Sequence, residues 1–209
     1  MKLGMKNCYA VAIAVVLVLA GAASARAQDV SQAEKERALQ YLESTKKGVL
    51  DATKGLSDAQ WNFKPAPERW SLAELIEHLA AAEDMLRGVT QEQVMKSPAV
   101  PLRSAEEIKR ADESVLTMVP DRTHKVQAPE PLKPINRFGS PEAAQRHFLE
   151  SRAATEEYLK NTSGLRAHLS DSPLGKLDGY EFVLFTAAHS ERHTKQMLEV
   201  KADPAFPKN

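Results

Sequence analysis

The sequence predicts an all-α protein: a four-helix bundle with a long crossover connection between helices two and three. Three observations carry this expectation. Four segments of helical length each open on a capping residue and carry apolar side chains at helical spacing. Strand signals are nearly absent. A proline-rich stretch separates the second helix from the third, and such a length suits a crossover bundle better than a simple up-down one.

The first helix opens at Ser31-x-x-Glu34 and runs from about Gln32 to Lys54. The Ser31 oxygen satisfies a free N–H of the first turn, and Glu34 favours the positive helix end. Leu39, Leu42, Val49 and Leu56 mark its buried stripe, and Gly55 is placed to end it. The second helix opens at Ser71-x-x-Glu74 and runs from Leu72 to about Gln93, with Leu72, Leu75, Ile76, Leu79 and Leu86 facing inward. Ser104-x-x-Glu107 marks a short extra helix to about Met118, and Pro120 to Pro134 reads as extended. The third helix opens at Ser140-Pro141-Glu142, with proline where no N–H is needed, and runs to about Asn161 past Phe148, Leu149 and Leu159. The fourth opens at Asp178-x-x-Glu181 and runs from Gly179 to about Lys201, with Phe182, Phe185, Met197 and Val200 inward. The tail 202–209, with two prolines, is expected to fray.

Residues 1–27 read as a secretory signal. Lys2 and Lys6 precede an uncharged apolar run from about Cys8 to Ala23, which ends in the small-x-small site Ala25-Arg26-Ala27. The run is shorter than the roughly 20 residues a membrane span needs. The expectation is a secreted or periplasmic protein with no stable anchor after cleavage, whose bundle domain covers 28–201. Removing Lys2, Lys6 and Arg26 leaves 25 basic against 28 acidic residues, a formal charge of −3. That balance excludes a nucleic-acid partner recognised through a basic face. The only cysteine, Cys8, leaves with the signal, so the mature chain has neither disulfide nor thiolate ligand.

His189 and His193 stand one turn apart on the fourth helix and point the same way. At about 100° per residue they fall about 20° either side of Phe182, in the middle of the inward face, with Gln196 close by. Two readings of this pair stand: core histidines each bonded to an oxygen, or metal ligands. His78 lies at the edge of the second helix's stripe, between Met85 and Val89. Alone it reads as a solvated edge residue, and with the pair it completes an open three-histidine site. Glu83 lies amid the second helix's apolar stripe. It is a candidate to orient a ligand ring, or else it pairs with a neighbour's Arg or Lys. Glu191 points to the opposite side, so this is no zinc-protease helix, which needs Glu directly after the first His. Arg192, at the flank of the same face, is a candidate contact for a substrate anion. His124, His147 and His168 read as surface or loop residues, and Trp61 and Trp70 as packing the linker onto the bundle.

Two blocks resemble the DinB-like superfamily of metal-binding bundles. One is Leu56-Ser57-Asp58-Ala59-Gln60-Trp61 with Trp70-Ser71-x-x-Glu74-x-x-x-His78; the other is Gly175-Lys176-Leu177-Asp178-Gly179-Tyr180 with His189-x-x-x-His193-x-x-Gln196. The resemblance implies a four-helix bundle holding a divalent metal, Zn or Ni, through His78, His189 and His193. It also implies pairing into a homodimer, and a small-molecule substrate in those relatives that are enzymes. Two functions follow as expectations. One is a metal-dependent enzyme, thiol S-transferase-like or hydrolase-like, with an open coordination position. The other is a non-catalytic bundle braced by its metal or serving as an interaction module.

Overall fold

The computed structural model describes residues 30–208. The signal segment expected at 1–27 lies outside them. Among the described residues six α-helices form: α1 (Gln32–Thr53), α2 (Asp58–Asn62), α3 (Leu72–Val89), α4 (Ala105–Met118), α5 (Pro141–Asn161) and α6 (Gly179–Lys201). The four long ones, α1, α3, α5 and α6, build the bundle. α1 lies against α6 and α5, and α3 lies against the same two, so α1 and α3 sit across the diagonal. The connection from α3 to α5 carries α4, which packs on α6.

The helix starts follow their caps. Ser31, Ser71, Ser104 and Asp178 each accept from the N–H three residues on, while the glutamate there reaches back to the cap's own N–H. Ser140 caps α5 ahead of Pro141. α1 stops where Gly55 takes a left-handed φ of 68°. The second long helix does not stay α-helical to Gln93. From Thr90 to Val94 it widens into a π-turn, and the Thr90 hydroxyl donates to the Leu86 carbonyl at 2.8 Å.

Other elements depart from the expectation too: within the stretch read as extended, Glu130–Leu132 forms a single 3-10 turn that starts at Pro129. Ser57 caps a short helix, α2, which buries Trp61. Before α6 the chain forms a hairpin, β1 (Leu169–Ser172) antiparallel to β2 (Gly175–Asp178), with Leu169 opposite Asp178. Four-residue strands are too short to show a period. The turn is fixed locally, by the Ser172 hydroxyl donating to Gly175 O at 2.7 Å, and Gly175 takes a φ of 96°. The tail does not leave the bundle. Phe206 packs edge-on against Phe63 at 5.5 Å, and Gln60 donates to Pro207 O at 3.0 Å.

Charge also ties the bundle internally. Arg152 on α5 is fully buried and meets Glu83 on α3, donating from Nε to both carboxylate oxygens at 3.1 Å. It also donates to Leu42 O and Thr45 of α1 and to Ser190 of α6. One guanidinium therefore joins all four long helices.

Candidate metal centre

His78 projects from α3, and His189 and His193 project from successive turns of α6. α3 and α6 pack together, so the three rings meet between them. The Nε2 atoms of His78 and His193 each lie 3.2 Å from Nε2 of His189. The three ligand atoms all fall within 4.8 Å of one another. His78 and His193 are 3 % and 7 % exposed, and His189 is half-buried.

The outer nitrogens decide which protons these rings carry. Nδ1 of His78 lies 2.9 Å from the Leu132 carbonyl, which can only accept, so Nδ1 holds the proton. Nδ1 of His193 lies 2.9 Å from Oε1 of Gln196. Arg122 donates to that same oxygen at 3.3 Å, which fixes the amide's orientation and makes Nδ1 of His193 the donor. Burial pushes all three imidazoles below the usual histidine range, helped by Arg137 at His78 and by the neighbouring rings and arginines at His189 and His193, so the rings are neutral.

In the neutral state the inward nitrogens of His78 and His193 are bare lone pairs, both aimed at one atom of His189. A single N–H there satisfies one of them at most. A cation satisfies all three. Three neutral nitrogen donors suit a divalent metal ion. The fit therefore rests on the donor set itself. Trp70 walls the site, its ring centroid 4.9 Å from that of His78 and stacked 6.5 Å from that of His193. Phe185 stacks on His189 at 6.4 Å.

Residues 41–197 match the DinB superfamily. The chain belongs to the DinB superfamily. It is 30% identical to the uncharacterised protein YuaE of Bacillus subtilis (strain 168) over 151 residues, 71% of this chain and 87% of YuaE. The fold is also that of YfiT from Bacillus subtilis, at a TM-score of 0.53 and 12% identity, covering 85% of this chain and 91% of YfiT. YfiT is described as a probable metal-dependent hydrolase with an unusual four-helix bundle topology.

The sites expected from sequence fare unequally in this DinB-superfamily chain. His78 is buried despite its edge position, because the connection at Leu132 covers that edge of α3. Glu77 holds the connection there by accepting from the backbone N–H groups of Ile135, Asn136 and Arg137. Gln196 bonds a ligand ring as its place on the wheel allows. Glu83 does not orient a ring: its carboxylate is taken by Arg152 and Ser190. Arg192 is engaged elsewhere as well. It is 8 % exposed, and its guanidinium donates to the carbonyls of Val119, Asp121 and His124, clamping the connection after α4.

Glu191 accepts from Tyr41 at 2.6 Å and pairs with Lys195, away from the site. His147 bonds Asp84, His168 bonds Ser97 O and His124 bonds Asp121, all outside the cluster. Trp61 packs the linker into the core. Trp70 packs there too, and its role as a site wall was not expected. Leu132 and Arg122 were also missed. The first contributes only a backbone oxygen, which no side-chain pattern signals. The second lies far from the histidines in sequence.

Proposed function

We propose that this protein is an exported metal-dependent enzyme of hydrolase type, with His78, His189 and His193 as its metal ligands. The convergence of three neutral imidazole nitrogens without a carboxylate among them carries the reading. YfiT, which shares the fold, supports it by its description. When bound, a divalent ion keeps its full charge among neutral ligands and supplies the Lewis acidity that brings the pKa of water or a thiol toward neutrality.

The chain's own residues hold and shield that chemistry. Leu132 O and Gln196 keep the protons of His78 and His193 on the outer nitrogens, leaving the inner ones free to bind. Trp70 and Phe185 offer flat apolar surface to a substrate and exclude water from one side of the rings. Glu83 and Glu191 are engaged elsewhere, so neither acts as a base beside the nucleophile. Export rests on residues 1–27, whose basic start, apolar run and cleavage site remove the chain from cytosolic thiols. That favours water over a thiol as the nucleophile.

The test is a panel of activated esters, amides and phosphoesters, beside thiols paired with a generic electrophile, with the zinc- and nickel-loaded mature protein. The expected result is hydrolysis that a chelator and His189→Ala both abolish. Thiol transfer without hydrolysis would make a thiol, not water, the nucleophile. No turnover on either panel would leave the braced, non-catalytic bundle.

A further inference from the structure

We infer that Arg122, on the long connection, is a positioning residue for the metal centre: it holds the Gln196 amide so that His193 presents a bare nitrogen to the ion. The inference rests on the metal-centre reading above and adds a residue that touches no ligand ring.

The geometry runs outward from the ligand in three steps. Nδ1 of His193 meets Oε1 of Gln196 at 2.9 Å. Nη1 of Arg122 donates to that same oxygen at 3.3 Å. Arg122 is itself aimed by Glu199, which accepts from Nε at 3.1 Å and from Nη2 at 2.8 Å in a two-pronged pair. Gln196 and Glu199 are three residues apart on α6, so they lie on one face of the helix, and Arg122 lies across both.

The consequence follows from the chemistry of an amide. Glutamine carries an acceptor at one end and a donor at the other, and the two ends have nearly the same shape. Beside an imidazole, either end forms a good hydrogen bond. With oxygen toward the ring, the ring proton sits on Nδ1 and Nε2 is free to ligate. With the NH2 group toward the ring, the ring accepts at Nδ1, its proton moves to Nε2, and the ligating lone pair is lost. Arg122 breaks this tie. A guanidinium has donors only, so it accepts no partner but the oxygen. Turning the amide would set NH2 against Arg122 and lose that contact, with only the ring contact replaced. His78 needs no such device, because its outer partner is the Leu132 carbonyl, which cannot turn round.

A suppressor experiment on the mature protein tests this. Zinc affinity is measured by competition with a chromophoric chelator for wild type, Arg122→Ala, and the pair Arg122→Ala with Gln196→Glu. A glutamate side chain has acceptors at both positions, so no turned state exists and Arg122 becomes dispensable. The expected result is about a 10-fold or greater loss of zinc affinity in Arg122→Ala, the usual scale for an outer partner of a ligand. The double variant should regain most of that loss. In metal-free protein, long-range proton–nitrogen spectra should show the His193 proton on Nδ1 in wild type and partly on Nε2 in Arg122→Ala.

Equal affinity in wild type and Arg122→Ala overturns the inference. So does a double variant as weak as the single one, since Arg122 would then act merely by holding the connection. A wild-type protein that binds no zinc sinks the metal-centre reading itself, a result separable from the other two.

Discussion

Replacing Arg152 by Leu should cost far more stability than any surface change, and it should leave the metal centre intact. Arg152 is 0 % exposed and Glu83 is 2 % exposed. The substitution strands the Glu83 carboxylate with Ser190 as its remaining partner, at 3.4 Å. It also removes the donors to Leu42 O and Thr45. Breaking one side of a buried ion pair costs about 3–5 kcal/mol. For a domain of this size each kcal/mol shifts Tm by about 2–4 °C, so a fall of about 6–20 °C is expected. Changing both residues to Leu leaves no stranded charge at this place, and the double variant should be clearly more stable than the sum of the single changes predicts. Lowering the pH should narrow the Arg152→Leu deficit. Burial already pushes the Glu83 carboxyl up against the opposing pull of Arg152, and without Arg152 the carboxyl takes up a proton more readily. Thermal and urea melts followed by circular dichroism measure all of this. A loss below about 1 kcal/mol, or strictly additive changes, would refute the buried-pair argument. Loss of zinc binding in a folded Glu83→Leu, Arg152→Leu variant would return Glu83 to the metal site.

Two further outcomes follow. The metal-free protein should lose stability as pH falls below about 6.5, because the unfolded histidines take up protons there while the buried rings, with lowered pKa, do not. Each excluded proton costs about 1.4 kcal/mol per pH unit in that window, so metal-free melts between pH 8 and pH 5 should show a steep drop, and a flat profile would contradict neutral rings. Arg192→Ala should speed limited proteolysis within 120–128 by freeing the carbonyls of Val119, Asp121 and His124. An unchanged cleavage pattern would contradict the clamp.

The bundle was legible in the sequence because its signals are local. Ser31, Ser71, Ser140 and Asp178 mark the helix starts, and each apolar stripe repeats over several turns. The hairpin at 169–178 was not legible, since Ser170-Asp171-Ser172 carries no strand preference and its pairing depends on a two-residue turn. In the site, the i, i+4 spacing of His189 and His193 placed both rings on the inward face. The edge position of His78 could not show its burial, because the connection covers that edge with a backbone oxygen. Glu83 and Arg192 have the right residue types in plausible positions. Their partners, Arg152 and the carbonyls after α4, come from parts of the chain that helical periodicity does not relate to them. Arg122 was invisible for the same reason.

The most direct measurement is the metal content of the purified protein beside His193→Ala, by elemental analysis after exposure to zinc or nickel. A three-histidine centre should hold one ion per chain in the wild type and lose nearly all of it in the variant, with the variant still folded. Equal metal in both, or none in either, would contradict the three-histidine centre.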